Sequence, residues 1–253
     1  MIDLHVHTNH SHDSKATIRE QCEKAVRIGL QYLCFTDHIN MNKADPGYGL
    51  YDAEKFFGEF NEAKEKYSGR LKLLCGIEFS EPHIYTEEFE KYRKLPYDFI
   101  LGSVHYWIND MRTGELVSIG YPAEDAYEKY WEEIYKAVAH GGFDSLAHID
   151  FPKRFYKECV WQRERIYSIF EEMAKNDIAL EINTSSLRRG LTEAMPDREF
   201  LKMYEQAGGT RVTIGSDAHS PDDLAAGYDY ACSLITGRLT SVVYINREPV
   251  PER

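Results

Sequence analysis

The chain contains no apolar run approaching the ~18 residues that cross a bilayer, no CxxC pair and no glycine-rich phosphate loop. The first absence excludes a membrane-spanning helix. The five cysteines (Cys22, Cys34, Cys75, Cys159 and Cys232) are odd in number, and Cys34 and Cys75 lie inside apolar runs where buried thiols are the ordinary finding. All five are therefore expected to be free, in a reducing compartment, the cytoplasm. Positive charge is scarce: 30 Lys and Arg stand against 42 Asp and Glu, a formal charge of −12. That balance excludes a nonspecific nucleic-acid binder, which needs a basic face. A small anionic substrate stays compatible with it if bound divalent cations invert the local field. The start, Met1-Ile2-Asp3-Leu4-His5, has neither a basic flank nor a cleavage site, so no signal peptide is expected.

What is present is an α/β pattern. At 253 residues the chain can bury a sizeable core, and 43% hydrophobic with 28% charged content is ordinary for a globular protein. Strands are expected over 2–6, 32–35, 71–77, 99–104, 145–147, 179–182, 211–214 and 242–244. Helices are expected over 17–28, 53–67, 124–139, 162–175, 196–206 and 221–235. Gly29, Gly141-Gly142 and Gly208-Gly209 follow helices as stops, and Pro221 opens the last one. Repeated β-α units imply parallel strands in a closed barrel or an open doubly wound sheet.

The distribution of histidines chooses between these. His7, His38, Glu78, His105, His148 and Asp217 each fall at or just past the carboxyl end of an expected strand. A barrel gathers all its strand ends at one mouth, whereas an open sheet spreads them along a line. The expectation is one domain, residues 1–253, folded as an α/β barrel, with the loops 40–50 and 108–122 over the mouth. Neutral imidazole is the commonest ligand of zinc and similar metals, and carboxylates complete or bridge such sites. Residues i and i+2 of a strand share a face, so His5 with His7, and Asp217 with His219, can each point inward together. Either pair alone is a weak signal. The two at opposite ends of a closed barrel, joined by three further strand-end histidines and Glu78, predict a multinuclear metal centre.

The motifs His5-Val6-His7-Thr8, Ser11-His12-Asp13, Thr36-Asp37-His38, Gly76-Ile77-Glu78, Gly102-Ser103-Val104-His105, His148-Ile149-Asp150, Asn183-Thr184 and Gly215-Ser216-Asp217-Ala218-His219 occur in this order. Nearly the whole chain thereby resembles the polymerase and histidinol phosphatase (PHP) family, and within it the histidinol-phosphate phosphatases. The resemblance implies a distorted (β/α)7 barrel related to the amidohydrolases, with three divalent metal ions (Zn, Fe or Mn) at its mouth. Its ligand pattern implies a first metal on His5, His7, Glu78 and Asp217. Glu78 would bridge to a second metal on His105 and His148, and a third would sit on His12, His38 and His219. The implied activity is hydrolysis of a small phosphomonoester, L-histidinol phosphate, by a metal-bridging hydroxide.

Glu78, Asp217, His38 and Arg154 are the residues expected to carry catalysis. Arg154, six residues past His148, and the adjacent Arg188 and Arg189 are expected to bind phosphate, since the guanidinium fork suits phosphoryl oxygens. Glu81 and His83, on the loop after Glu78, are expected to contact the substrate, with Tyr106 and Trp107 as possible walls. Asp37 and Asp150 are expected to hold ligand imidazoles. His140 closes a helix, and His10 reads as an exposed loop residue. Another phosphoester, a nucleotide or phosphotyrosine, is the alternative substrate. A noncatalytic metal-binding module is the alternative class, against which the complete ligand set argues.

Overall fold

A computed structural model describes residues 1–252. In chain order the elements are β1 (Ile2–Val6), α1 (Ile18–Ile28), β2 (Tyr32–Ile39), α2 (Ala53–Lys66), β3 (Lys72–Ser80), α3 (Thr86–Tyr92) and β4 (Phe99–Ser103). A hairpin follows, β5 (Tyr106–Ile108) and β6 (Met111–Arg112), then α4 (Thr113–Ser118), α5 (Ala123–His140) and β7 (Ser145–Leu146). The remainder is α6 (Lys153–Tyr156), α7 (Arg163–Lys175), β8 (Ala179–Asn183), α8 (Ser185–Arg188), α9 (Arg198–Gln206), β9 (Arg211–Gly215), α10 (Tyr228–Leu234), β10 (Thr240–Ile245) and β11 (Glu248–Pro251).

Local chemistry sets these boundaries. Thr17 caps α1: its hydroxyl accepts from the Glu20 amide while the Glu20 carboxylate accepts from the Thr17 amide, satisfying orphan donors reciprocally. Gly29, at φ +75°, ends the same helix in the left-handed region that glycine enters without strain. The expected helix over 221–235 is broken. Pro221–Asp223 forms only a 3-10 turn, and the left-handed Ala225 (φ +54°) and Gly227 (φ +79°) interrupt the helical path before α10 begins.

One sheet runs β1-β2-β3-β4-β7-β8-β9-β10-β11, parallel throughout except for the antiparallel β10–β11 hairpin. Every residue of β1, β4 and β8 is buried, as befits parallel strands covered on both faces. The start of β9 pairs with β10, while the chain just beyond β9 turns to β1. There Val6 bridges Ala218 in parallel, the His7 amide donates to the Ala218 carbonyl (2.9 Å), and the Ala218 amide donates to the His5 carbonyl (3.3 Å). Instead of the regular ladder of a closed barrel, a single bridge joins the first strand to the end of β9. Among the described residues no helix is long and apolar enough to cross a membrane. All five cysteines are free.

Two expected strands run longer than their apolar patterns suggested. β2 reaches Ile39 and β3 reaches Ser80, and His38 sits directly opposite Glu78 in their register. The main core packs around this sheet, and Ile108, Leu116 and Ala126 form a small separate cluster beneath the β5–β6 hairpin and α4. Part of the expected 108–122 loop is thus an ordered cap with its own core.

At the opposite end, the β10–β11 turn inserts Arg247, which ion-pairs Asp144 and donates to the Gly142 carbonyl (2.8 Å). The other partner of this Asp144 oxygen is the Ile100 amide (2.7 Å). Burial pushes the Asp144 carboxyl up to about 6 against the opposing pull of Arg247. The native state therefore holds this proton more tightly than the unfolded chain does, and stability from the protonated form fades as pH rises from about 4 through 6. Removing the guanidinium raises the carboxyl further and leaves a buried charge uncompensated at high pH. Arg247→Gln should therefore cost about 3 kcal/mol at pH 8 and clearly less at pH 5. Thermal denaturation at the two pH values checks this, and an equal loss at both would contradict it.

Candidate metal centre

The β-strand ends converge on Glu78, whose carboxylate has no exposed surface. Oε2 lies 3.2 Å from His5 Nε2 and 3.0 Å from His38 Nδ1. Oε1 lies 2.9 Å from His148 Nε2 and 3.5 Å from His105 Nε2. His7 joins from just past β1, its Nε2 being 3.0 Å from His5 Nε2 and 3.4 Å from Asp217 Oδ1. His219 stacks on the His7 ring with centroids 4.2 Å apart. Asp217, brought alongside by the Val6–Ala218 bridge, has φ +55°, and His148 has φ +23°. Non-glycine residues rarely occupy this region, and they concentrate where the surroundings force a side chain into a functional position.

Three groups place one donor atom each within 4.8 Å of one another: His5, His7 and Asp217; His38, Glu78 and His105; His7, His38 and His219. His148 stands beside the second group through Glu78. His12 lies apart from all three, with Nδ1 4.0 Å from Asp13 Oδ1 and a ring centroid 5.9 Å from that of His38. The donor set fits divalent cations. Nδ1 of His12 is buried without a hydrogen-bond partner, a costly state for a polar atom unless an ion completes it. His5 and His7 present nitrogen to nitrogen at hydrogen-bond distance, as rings sharing a ligand shell do.

Charge follows from this crowding. Burial lowers His7, and the neighbouring His219 and His38 lower it further, well below the usual imidazole value. Burial likewise brings His105 down to about 3. His5 is also buried, yet the carboxylates of Glu181, Glu78 and Asp217 outweigh that and raise it well above the usual value. For His38, Glu78 and Asp13 outweigh burial in the same way. Burial opposes ionisation of Glu78 and Asp217, but His38 and His5 hold Glu78 far below the ordinary carboxylate range, and Arg154 and His5 do the same for Asp217. Without a cation, protons on imidazoles balance the carboxylates. Cation binding displaces them, which makes affinity pH-dependent.

Positioning bonds surround the ligands. Asp37 accepts from the Thr8 amide, the Thr8 hydroxyl and Ser11 Oγ, and Ser11 in turn meets His7 Nδ1 at 3.2 Å. Ser80 Oγ lies 2.9 Å from His105 Nδ1. Sequence reasoning missed Ser80. It also missed Asp13, whose Oδ2 lies 3.1 Å from His219 Nε2 and 3.6 Å from His38 Nε2, and Glu181, which meets His5 Nδ1 at 2.6 Å. A signal for Glu181 existed: a carboxylate inside the otherwise apolar Ala179-Leu180-Glu181-Ile182. Asp150 departs from its expected role, pairing with Lys153 Nζ at 2.6 Å and with no imidazole.

A cavity of about 200 Å³ opens over the cluster. Arg154 and Arg189 line it on one side and Phe151 and Phe155 form a wall; Asp45, Tyr106 and Arg112 also reach it. Arg154 pairs with Asp217 and donates to Ser185 Oγ (2.6 Å), and its Nε is buried without a partner. Arg188 is turned elsewhere, donating to the carbonyls of Ser216 (2.8 Å) and Asp217 (3.2 Å) and pairing with Asp223.

Glu81 and His83 require correction. Glu81 is buried and accepts from the amides of His105 (2.5 Å) and Tyr106 (3.1 Å), bracing the turn after β4. His83 Nε2 pairs with Glu133 at 2.8 Å. Neither lines the cavity. Trp107 likewise donates to the Ala126 carbonyl under the cap. His10 is buried, against the exposed position expected, with Nε2 3.2 Å from Glu59 and its ring edge-on to Phe56. His140 does close α5.

Residues 3–185 match the PHP domain family. A curated probable histidinol-phosphatase of Deinococcus radiodurans is 30% identical over 91% of this chain and 90% of its own length. The crystal structure of histidinol phosphate phosphatase from Lactococcus lactis, complexed with zinc, L-histidinol and phosphate, superposes with a TM-score of 0.84 at 23% identity, covering 98% of both chains. A structure reported with the metal-dependent tyrosine phosphatases of Bacillus subtilis and Streptococcus pneumoniae reaches 0.51 at 17% identity, over 92% of this chain and 89% of that one. The domain match spans well over half of the sequence and carries most of the converging side chains, so this chain belongs to the PHP domain family.

Proposed function

We propose that this protein is a metal-dependent phosphomonoesterase that hydrolyses L-histidinol phosphate to L-histidinol and phosphate, as the names of its relatives suggest. The observation that carries the proposal is Glu78, with imidazoles against both of its oxygens beneath an arginine-lined cavity. We infer three cation positions: His5, His7, Glu78 and Asp217 would hold one, and Glu78, His105 and His148 a second. His12, His38 and His219 would hold the third. Bound divalent cations supply Lewis acidity that activates water near neutral pH and offsets phosphoryl charge. The seven strands β1, β2, β3, β4, β7, β8 and β9 are read as a distorted barrel closing at Val6 and Ala218, one domain with this site at its mouth. Free cysteines accord with a cytoplasmic setting.

The chain's own residues divide the remaining work. Arg154 and Arg189 bind phosphoryl oxygens and hold phosphorus over the cluster. Arg154 also orients Asp217 through their ion pair, a second duty that sequence reasoning did not assign. Phe151 and Phe155 offer faces for the substrate imidazole. Asp45, which already accepts from the Tyr106 hydroxyl at 2.8 Å, replaces Glu81 as the acidic group nearest the substrate ammonium. The cap of β5, β6 and α4 brings Arg112 and Thr113 over the cavity and excludes water from it. The tyrosine-phosphatase neighbour makes phosphotyrosine the second reading.

A panel of zinc- or manganese-replete protein against histidinol phosphate, p-nitrophenyl phosphate, a nucleotide and phosphotyrosine should show the highest kcat/KM for histidinol phosphate, and chelation should abolish turnover. Faster hydrolysis of phosphotyrosine would reverse the assignment. Glu78→Gln should lose bound metal together with activity, by elemental analysis beside the rate assay, because the charge shared by two cation positions is gone. Arg189→Ala should lower kcat/KM by about 10–100-fold, the worth of one or two charge-assisted hydrogen bonds, with metal content unchanged. Arg188→Ala should leave kcat/KM within a few fold and lower Tm instead.

A further inference from the structure

One buried carboxylate outside the three groups touches both His5 and His148. Glu181, on β8, is 1% exposed. Its Oε1 lies 2.6 Å from His5 Nδ1. Its Oε2 accepts from the backbone amide of His148 at 2.7 Å and from Asn183 Nδ2 at 3.1 Å. His5 belongs to the group with His7 and Asp217, whereas His148 meets the other oxygen of Glu78. A single side chain thus spans from the end of β1 to the segment after β7 and holds one member of each half of the centre.

Two further observations show that the fold is shaped around this side chain. His148 is held at φ +23°, outside the usual region for a residue with a Cβ, and the hydrogen bond to Glu181 is the one its amide makes. Gly215, on β9, lies so close to the pair that a Cβ there would stand 2.3 Å from Glu181 Oε1 and 2.4 Å from the His5 Cβ. Only glycine leaves room for the carboxylate to reach the ring.

We propose that Glu181 is a positioning residue that registers the two halves of the metal centre to each other. It fixes His5 as the tautomer with the proton on Nδ1, so that the Nε2 lone pair faces His7 and Glu78. Through the His148 amide it sets the ring that approaches the opposite oxygen of Glu78. This rests on the reading of the cluster as a cation site. Ligating histidines generally donate their other N–H to such an acceptor. Here one acceptor serves two halves, so its loss should weaken both cation positions together.

The test is zinc titration of metal-stripped protein, wild type and Glu181→Gln, against a chromophoric chelator, with Tm measured in excess zinc and in chelator. The variant should bind zinc roughly 10–100-fold more weakly, and the Tm rise that zinc produces should shrink. A purely structural residue would lower both Tm values equally and leave the zinc-induced rise intact, and that result would overturn the proposal. Glu181→Asp, which keeps the charge but is one methylene short, should recover part of the affinity and not all of it; full recovery would show that spanning the two halves is unimportant. If neither variant folds, nitrogen-15 NMR of the zinc-loaded wild type decides: His5 must carry its proton on Nδ1, and a proton on Nε2 sinks the idea. A wild type that binds no zinc would overturn the metal reading itself, an outcome distinct from wild-type zinc affinity in Glu181→Gln, which removes the positioning role alone.

Discussion

A carboxylate with no exposed surface governs this structure. Burying the Glu78 charge would be prohibitive if it stood alone, and the fold answers by directing His5, His38, His105 and His148 at its two oxygens. Those imidazoles come from four separate strand ends. The sheet must therefore curve until its first strand, its second, its fourth and the segment after β7 share one space. The Val6–Ala218 bridge serves the same requirement, since it places Asp217 beside His5 and His7.

The charge balance of the site and that of the whole chain point in opposite directions. The chain carries a formal charge of −12, but the cavity sets imidazoles and three arginines, Arg112, Arg154 and Arg189, against the four carboxylates Asp13, Asp45, Glu78 and Asp217. Each carboxylate there is already engaged, Asp217 by Arg154 and His7, Asp13 by His219 and His38. Cations bound among these ligands would add to that positive field, which is what a phosphate dianion requires. The acidic surface then has little bearing on the substrate, because solvent and salt screen it beyond about 10 Å.

The surroundings of the ligands are as constrained as the ligands themselves. Asp37 works through Ser11, Ser80 works on His105, and Glu181 works on His5 and His148. These polar residues are all buried. Their burial is sustained only because each bond has a partner. The cap formed by β5, β6 and α4 stands apart from this network, with its own small core.

The convergence of these imidazoles and carboxylates was legible in the sequence because its signals are local. Period-two spacing in His5-Val6-His7 and Asp217-Ala218-His219, and ligand-type residues ending apolar runs, follow from strand geometry alone. The alternation of strands and helices, the glycine helix stops and the free cysteines were legible for the same reason. The destinations of Glu81 and His83 were not, since a residue's place after a strand says nothing about which way the turn leads, and here it leads away from the cavity. Arg188 and Arg189 are neighbours in sequence with the same chemistry. Only the packing of α8 against Ser216 and Asp217 ties one down and leaves the other at the cavity. His10 and Glu181 were likewise decided by contacts 49 and 176 residues away. Sequence spacing reports on neighbours along a strand or helix; the partners of a buried side chain are chosen by the sheet's curvature, which only the folded chain expresses.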